Sequence, residues 1–242
     1  MDKLFVVIPA YNEEKNISRA IEEWYPVVER YGNDSKLLII NDGSKDRTLE
    51  IINECAQSRN DLIVLDKPNS GHGPSVVAGY RYALAHGADY VFQTDSDGQT
   101  STEEFGDFWN ARSDYDMVIG RRYRRGDGFG RLVVSRTLRL ILRVIYGKWI
   151  WDANVPYRLM AAAPLKECTD AEPDNYYLSN IFVALWFETH EKRILYLPIK
   201  FEPREAGDSF FNFKSIMRLG WQAAKDCLDF KRKLHTGSNE KC

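Results

Sequence analysis

Short apolar segments alternate with amphipathic segments along the first half of the chain. Four apolar runs occur in the first hundred residues, and each is rich in Val, Ile, Leu or aromatic residues. Continuous apolarity of this kind is typical of strands that are covered on both faces in a parallel sheet. The runs are LFVVIP (4–9), KLLIIN (36–41), LIVL (62–65) and YVFQT (90–94).

The segments between these runs have the spacing of amphipathic helices. Apolar residues recur at i, i+3, i+4 and i+7 from Ile17 to Trp24, and the spacing from Thr48 to Cys55 is the same. Another helix is predicted at about 102–113, before a fifth strand with the sequence DMVIG. Strands that alternate with helices predict an α/β fold with a mostly parallel, Rossmann-like sheet flanked by helices.

The second half of the chain has a different pattern. Residues 121–148 contain eight arginines and one lysine but a single aspartate. We found no linker-like change in composition and no internal repeat, so we predict one domain over residues 1–242. Within it, residues 121–242 would form a separate functional half that follows residues 1–120. This half is predicted to contain a strand near 155–160, a helix near 176–190, a strand at 193–199 and a closing helix to about 231.

Composition narrows the class of protein. The chain has 242 residues, of which 44% are hydrophobic and 28% charged, as in ordinary soluble domains. A net charge of −2 does not favour nucleic acid as a partner. Four scattered cysteines without a CxxC pair argue against a zinc ribbon or a disulfide framework. No signal-peptide pattern and no long apolar span is evident, so we expect a cytoplasmic protein, either soluble or peripheral to a membrane.

A polar cluster follows each of the first four predicted strands. Because ligands of open α/β sheets bind beyond the carboxyl ends of the strands, we expect these clusters to line one edge. That edge would combine carboxylates, glycines and one exposed aromatic side chain. The clusters are PAYNEE (9–14), NDGSKD (41–46), DKPNSGHG (66–73) and TDSDGQ (94–99).

The last cluster predicts a metal site. Asp95 and Asp97 place two like charges side by side, which a bound divalent cation would stabilise. Mg²⁺ or Mn²⁺ prefers oxygen ligands and often binds one or two carboxylates together with substrate phosphates, and Gln99 adds a neutral oxygen. By itself an Asp-x-Asp pair is more often a solvated acidic turn. Its position after the fourth strand favours the metal.

Two common nucleotide-binding motifs are excluded. No GxGxxG follows the first strand, and SGHGPS lacks the Lys-Ser/Thr ending of a P-loop. Instead, the motifs IPAYNEE, IINDGSKDRT, NSGHGPSVVAGYRYA, QTDSDGQ and VIGRRY resemble the inverting nucleotide-sugar glycosyltransferases of family two. Within that family the chain resembles the polyprenyl-phosphate (dolichyl-phosphate mannose synthase-like) branch, over roughly residues 3–218.

The resemblance implies a glycosyltransferase-A fold and a donor site in residues 1–120 for a UDP- or GDP-sugar. It implies that Pro9, Tyr11 and Glu13 hold the nucleoside and that Asp42 contacts the base or ribose. Tyr11 has the alternative of covering the sheet edge, and Glu13 that of a favourable charge at a helix N-terminus. Most relatives carry two aspartates where this chain has Asn41 and Asp42.

The resemblance also assigns the metal ligands. Asp95, Asp97 and Gln99 match the residues that hold Mg²⁺ or Mn²⁺ in the family, and we count Asp97 among the catalytic residues. His72 lies between two glycines. It is equally compatible with a contact to the diphosphate and with an exposed loop, so it receives no role.

For the acceptor side, the resemblance implies that Arg122 and Arg136 bind the phosphate of a polyprenyl phosphate. As a helix, residues 131–146 would carry Arg136, Arg139 and Arg143 in one narrow stripe and apolar residues over most of the rest. Such a helix can lie in a membrane interface, and it can equally be a core helix with one solvated basic face. Arg204, in the loop EPREAGDSFFNF, would close over the diphosphate or remain an ordinary surface charge.

A phosphate acceptor needs no general base, because a phosphate monoester with a second pKa of about 6 is mostly deprotonated at neutral pH. Hydroxyl-acceptor relatives often carry an acidic pair and a QxxRW-type motif, whereas this chain has a lone Asp152 in WDANVPYRLM. If the acceptor is a hydroxyl of a polysaccharide or glycan-lipid, Asp152 is the candidate base.

The predicted function is metal-dependent, inverting transfer of a sugar to a polyprenyl phosphate at the cytoplasmic membrane face. The chain would reach the membrane through its basic helix or through a membrane-protein partner. Two alternatives remain: transfer to a hydroxyl acceptor, and a non-catalytic protein that binds nucleotide sugars. A nucleotidyltransferase is not favoured, because PAYNEEK lacks the glycine-rich, lysine-containing loop of that class.

Overall fold

A computed structural model describes residues 2–122, 143–144, 146–147, 150–172 and 177–201. These residues form seven strands and six helices of more than one turn. The strands are β1 (Leu4–Ala10), β2 (Lys36–Asp42), β3 (Leu62–Lys67), β4 (Tyr90–Thr94), β5 (Met117–Arg122), β6 (Tyr157–Ala161) and β7 (Ile194–Ile199). The helices are α1 (Ile17–Arg30), α2 (Thr48–Ala56), α3 (His72–Ala85), α4 (Phe105–Ala111), α5 (Ala162–Ala171) and α6 (Ser179–Thr189).

The strands form one sheet in the order β3-β2-β1-β4-β6-β5-β7. The first four neighbours are mutually parallel, and β5 is parallel to β7. Strand β6 runs antiparallel to both of its neighbours, β4 and β5. The predicted α/β class with a mostly parallel sheet is therefore confirmed, and the carboxyl ends of β1 to β4 lie at one edge as expected.

Helices cover the central strands on both faces, which explains why β1 is buried along its whole length. On one face Trp24 of α1 packs against Phe92 of β4, with ring centroids 5.1 Å apart. On the other face α3 approaches closely because Gly79 has no side chain. A Cβ there would lie 2.5 Å from Cγ1 of Val7 and 2.8 Å from Cδ1 of Ile40. This approach places the first turn of α3 at the edge where the strands end.

Strand β6 presents different chemistry to the two faces of the sheet. Tyr157 packs edge-on against Phe92, with ring centroids 4.7 Å apart. Arg158, the next residue, points to the opposite face and lies opposite Gln93 of β4 in the strand register. The strand predicted near 155–160 is present, but its antiparallel direction follows only from its position between β4 and β5.

Helix α5 has no counterpart among the sequence-based predictions. It contains Pro164 in its first turn, where the missing N–H has no intrahelical partner to lose. Proline inside a short segment conceals a helix from periodicity arguments. The predicted helix near 176–190 is found as Ser179–Thr189, and the predicted strand at 193–199 as Ile194–Ile199.

Several predictions fall mainly outside the described residues. They include the loop and closing helix from 202 onward and most of the helix over 131–146, of which residues 143, 144 and 146 are helical. Among the helices that the structure describes, none combines the length and apolar composition that a membrane crossing requires.

Candidate active site

The loop after β1 is joined to the loop after β2. Asn12 has a left-handed backbone with φ of 54°, a conformation that asparagine tolerates better than most residues. Its N–H donates to Oγ of Ser44 at 3.0 Å, and its Oδ1 accepts from the N–H of Lys45 at 2.8 Å. Beside this turn Tyr11 is 44% exposed. An aromatic face is therefore available at the edge, as the nucleoside prediction requires.

Pro9 and Glu13 are both engaged with neighbouring segments. The carbonyl oxygen of Pro9 accepts from Oγ of Ser96 at 3.1 Å, which joins β1 to the aspartate turn after β4. The N–H of Glu13 donates to Oγ1 of Thr48 at 2.8 Å, and its Oε2 accepts from Nδ2 of Asn16 at 2.6 Å. The structure places both residues at the site edge. Their contact with a nucleoside stays a prediction.

Asp42 organises the loop that leads into α3. Its Oδ1 accepts from the N–H of Ser70 and its Oδ2 from the N–H of Gly71, each at 2.9 Å, and Lys67 forms an ion pair with the same carboxylate. Burial of this carboxylate opposes ionisation, but the hydrogen bonds from Lys67 and Ser70 outweigh it and lower the pKa of Asp42. Asp42 is therefore an anion that holds the loop, and its contact with the base or ribose stays a prediction.

The first turn of α3 faces the aspartate turn. Gly71 precedes the helix with φ of 93°, a conformation that favours glycine. His72 begins the helix, and its Nε2 lies 3.9 Å from Oδ1 of Asp95. A helix N-terminus presents free N–H groups and a positive dipole end, which suits phosphate groups. The exposed ring of Tyr177 lies over Gly71, 3.7 Å from where a Cβ would stand.

Asp95, Asp97 and Gln99 lie together in the turn after β4, as predicted. Oδ1 of Asp97 accepts from the N–H of Gln99 at 3.2 Å. Oδ1 of Asp95 is buried, and no hydrogen-bond donor among the described residues reaches it. Burial raises the pKa of Asp95, and electrostatic interactions with His72 and Arg158 only partly oppose that rise. A cation at Asp95 would stabilise the ionised form of this carboxyl group.

Two independent observations show that position 98 of this turn requires glycine. Its φ is 70°, and a Cβ would lie 1.7 Å from Nη2 of Arg19, a residue of α1. The guanidinium of Arg19 therefore lies directly against the backbone of the turn. Any side chain at position 98 would displace it and strain the backbone.

The residues of the turn fit a divalent ion that binds together with its substrate. Within the described part of the chain, no three His, Cys, Asp or Glu side chains converge into a metal cluster. Mg²⁺ and Mn²⁺ often take only one or two protein carboxylates and complete their shell with phosphate oxygens and water. Asp95 and Asp97, with Gln99 beside them, would supply that share.

The structure joins two predicted site residues on the acceptor side. Arg122, the last residue of β5, donates from Nε to Oδ2 of Asp152 at 2.7 Å and from Nη2 to Oδ1 at 2.8 Å. This is a two-point ion pair in which Asp152 is 7% exposed. The guanidinium also lies over the ring of Phe201, 4.8 Å from its centroid. Arg122 is therefore fixed in orientation, and both oxygens of Asp152 receive its hydrogen bonds.

One buried residue near the site received no role from its sequence. Arg158 is fully buried, and its charge acts on both Asp95 and Asp152. The sequence pointed to this residue only by placing an arginine within the otherwise apolar strand VPYRLM. Two other predicted site residues, Arg136 and Arg204, lie outside the described residues.

Comparison with known proteins identifies the family. The family model described as "Glycosyl transferase family 2" matches residues 5–174, more than half of the chain. The chain belongs to glycosyltransferase family two. The family predicted from its motifs is thus confirmed.

Two curated relatives of this family-two chain are similar over most of its length. They are the undecaprenyl-phosphate 4-deoxy-4-formamido-L-arabinose transferases of Pectobacterium carotovorum subsp. carotovorum and Pectobacterium atrosepticum. Each is 26% identical over 220 residues, which cover 88% of this chain and 64% of the relative. The family-two chain therefore spans 64% of the length of these relatives.

Solved structures confirm the glycosyltransferase-A fold. Glucosyl-3-phosphoglycerate synthase from Mycobacterium tuberculosis, in complex with phosphoglyceric acid, superposes with a TM-score of 0.69 at 17% identity, over 94% of this chain and 80% of that one. The same enzyme in complex with Mn²⁺, UDP and phosphoglyceric acid has a TM-score of 0.67 at 16% identity, over 95% and 78% of the two chains. At this identity the similarity establishes the fold alone.

Proposed function

We propose that this family-two chain transfers a sugar from a nucleotide sugar to a polyprenyl phosphate, with inversion at the anomeric carbon. The observation that carries the proposal is the ion pair between Arg122 and Asp152. It presents an oriented guanidinium whose charge also acts on Asp95 in the metal turn. A fixed guanidinium beside the proposed donor site suits a phosphate acceptor, because a guanidinium carries five N–H donors and Asp152 receives two of them.

On the donor side, the edge of β1 to β4 binds the nucleotide sugar. Tyr11 stacks on the base, and the loop organised by Asp42 presents the first turn of α3, with His72, to the diphosphate. Asp95 and Asp97 would hold a Mg²⁺ or Mn²⁺ ion, whose positive charge would stabilise the negative charge on the departing diphosphate. The solved neighbours support this assignment, since they include complexes with Mn²⁺ and UDP-glucose.

On the acceptor side, Arg122 holds the phosphate while one of its oxygens attacks the anomeric carbon. The new bond joins that carbon to the phosphate oxygen, and the bond from the same carbon to the diphosphate oxygen breaks. The nucleoside diphosphate leaves with the bonding electron pair. Arg136 and Arg204 are proposed to assist at the acceptor phosphate and the diphosphate.

This chemistry needs no base. The acceptor oxygen is already deprotonated at neutral pH, since the second pKa of a phosphate monoester is about 6. Asp152 then acts by holding Arg122 rather than by removing a proton, in agreement with the engagement of both its oxygens. A hydroxyl acceptor would instead require a free carboxylate next to the attacking oxygen.

The printed names of the curated relatives support a polyprenyl-phosphate acceptor, since both are undecaprenyl-phosphate sugar transferases. A lipid acceptor places the reaction at a membrane surface. We propose peripheral association at the cytoplasmic face, either through the basic segment 131–146 or through a membrane-protein partner. Nucleic acid plays no part in this proposal.

The test is release of UDP and GDP from a panel of their sugars with Mn²⁺, measured with and without a short-chain polyprenyl phosphate. We expect release from one sugar that depends on the lipid phosphate and stops on chelation of the metal. Asp97→Ala should abolish it. Lys166→Ala, which removes an exposed pair with Asp170, is the matched control and should retain wild-type release.

Other outcomes are equally decisive. Metal-dependent release that is indifferent to the lipid phosphate but rises with a glycan would move the acceptor to a hydroxyl. Binding of a nucleotide sugar without release of the nucleoside diphosphate under any condition would make the chain a non-catalytic binder.

A further inference from the structure

Arg158 is a charged residue in the interior of the protein. It is the second residue of β6, in the middle of the sheet, and it is fully buried. Its neighbours in the strand register are Gln93 of β4 and Ile119 of β5. An arginine in such a position is costly, because the cation loses its hydration and needs compensation from protein groups.

The compensation comes from main-chain carbonyl oxygens. Nη2 of Arg158 donates to the carbonyl of Val155 at 2.6 Å and to that of Ala153 at 3.2 Å, and Nε donates to Val155 again at 3.3 Å. Nη1 donates to the carbonyl of Asn180, in the first turn of α6, at 2.8 Å. One guanidinium thus joins the turn before β6 to helix α6.

The joined turn is the segment that carries Asp152. It closes with a hydrogen bond from the N–H of Val155 to the carbonyl of Asp152 at 3.3 Å. The side chain of Asp152 leaves this turn towards Arg122 and meets it at two points. A chain of contacts therefore runs from Arg158 through the turn to the guanidinium on the acceptor side.

We propose that Arg158 is a positioning residue for the acceptor arginine: it fixes turn 152–155 against α6, and the turn holds Asp152 where both its oxygens receive Arg122. The inference rests on the proposed function, in which Arg122 binds the acceptor phosphate. Arginine is required because its planar fork reaches three carbonyls at once. A lysine would preserve the buried charge but lose the fork.

The test compares Arg158→Lys with the wild type and with Tyr157→Phe. Tyr157 is adjacent in β6 but points to the other face, where its hydroxyl donates to the carbonyl of Ser101 at 3.1 Å. In Arg158→Lys we expect kcat/KM for the lipid phosphate to fall about 10- to 100-fold, as misplacement of a binding group by about 1 Å can do. The KM for the nucleotide sugar should stay within about twofold, and Tyr157→Phe should match the wild type in both constants.

A double variant shows whether Arg158 acts through Asp152. Adding Arg158→Lys to Asp152→Asn should lower kcat/KM for the lipid phosphate little further than Asp152→Asn alone. The contact between Asp152 and Arg122, which Arg158 positions, is already weakened in that background. If the double variant instead loses kcat/KM by the product of the two single losses, the proposal is overturned. An equal rise in KM for donor and acceptor, which is the signature of general destabilisation, would also overturn it.

Amide hydrogen exchange tests the same inference without turnover. Arg158→Lys should speed exchange in residues 150–157 and leave β2 unchanged, whereas general loss of stability would speed both. If the wild type shows no lipid-dependent release, the proposed function fails while the exchange result still decides whether Arg158 fixes the turn. Arg158→Gln is the second variant, since its amide can serve one carbonyl. Failure of both variants to fold, or unchanged exchange in 150–157, would overturn the proposal.

Discussion

Two regions of this protein are assembled in different ways. The proposed donor edge is formed by the clusters after β1 to β4, and the proposed acceptor side contains Arg122 and Asp152. At the edge of β1 to β4, each polar cluster is contiguous in sequence and follows its own parallel strand, so the rule that parallel strands end together already predicts that the clusters meet. On the acceptor side, Arg122 and Asp152 are 30 positions apart and meet because β6 lies antiparallel between β4 and β5. The sequence motifs therefore indicate where the polar clusters meet, whereas the pairing of Arg122 with Asp152 is visible only in the sheet topology.

The two regions also differ in charge balance. At the donor edge, Oδ1 of Asp95 is buried without a donor among the described residues, and burial raises the pKa of that carboxyl. On the proposed acceptor side, the carboxylate of Asp152 receives two hydrogen bonds from Arg122, and the guanidinium of Arg121 lies over the ring of Trp151. One region holds a buried carboxylate oxygen that no described donor reaches, and the other holds a carboxylate whose two oxygens are both paired. We therefore expect a cation to bind at the turn with Asp95, and an anion to bind beside Arg122.

The largest expected effect concerns Asp95, whose Oδ1 no described donor reaches. Asp95→Asn keeps the shape of the side chain but removes the charge that a metal would neutralise. We expect activity to fall about 10³-fold, which corresponds to the several kcal/mol that such an ion contributes. The thermal midpoint of the metal-free protein should be unchanged or higher, because the buried ionised carboxylate is destabilising. Release assays and a thermal melt measure the two quantities.

A lower melting temperature together with unchanged activity would contradict the assignment of Asp95 to cation binding, because Asp95 would then be a structural anion like Asp42. Asp89→Asn provides the control for removal of an aspartate elsewhere. Asp89 accepts a hydrogen bond from the N–H of Lys3 at 2.8 Å, away from the strand ends that form the site.

A smaller effect is expected for the ion pair on the acceptor side. Arg122→Lys leaves one cation near Asp152 but removes the two-point contact. We expect kcat/KM for the lipid phosphate to fall about 10²-fold, close to the 2–5 kcal/mol lost when a buried, hydrogen-bonded charge pair is truncated. Affinity for the donor, measured by calorimetry with UDP or GDP, should not change.

Arg121→Lys is the matched control for this prediction. Arg121 is the preceding residue and is exposed, and it packs on Trp151 rather than on a carboxylate. Arg121→Lys should lower kcat/KM for the lipid phosphate by less than about threefold, as expected for an exposed cation–π contact of about 0.5–1 kcal/mol. Equal losses at both positions would mean that net positive charge, and not the oriented fork, attracts the acceptor.

The smallest of the three effects concerns stability at the donor edge. Asp42→Asn weakens the ion pair with Lys67 and the hydrogen bonds from the N–H groups of Ser70 and Gly71. We expect a loss of about 2 kcal/mol in the free energy of unfolding at pH 7, within the range for hydrogen bonds to charged groups. Urea unfolding measures it.

The pH dependence follows from the lowered pKa of Asp42. An acid whose folded pKa lies below its unfolded value, about 3.9, contributes stability above that value and loses it as pH falls through the folded pKa. The difference between wild type and Asp42→Asn should therefore shrink as the pH falls below about 4. A difference that stays constant with pH would show that the carboxylate charge is not what holds the loop.

Prediction from sequence was most accurate where apolar runs and polar clusters are contiguous. The predicted strand over 90–94 has the observed bounds, and the turn with Asp95 and Asp97 follows it as expected. Helix α5 was missed, because Pro164 and a short, weakly periodic segment hide it. Arg158 received no role, because nothing in VPYRLM shows that its guanidinium meets the carbonyl of Asn180.

By itself, the sequence determined the α/β class, the strand positions, the family and the edge at which the first four clusters meet. These features depend on local periodicity and on the rule that parallel strands end together. Tertiary structure alone decided that Asp42 holds the loop before α3, that Asp152 is paired with Arg122, and that no donor among the described residues reaches Oδ1 of Asp95. Such outcomes depend on which distant groups meet in a buried site, where each charge needs a specific partner.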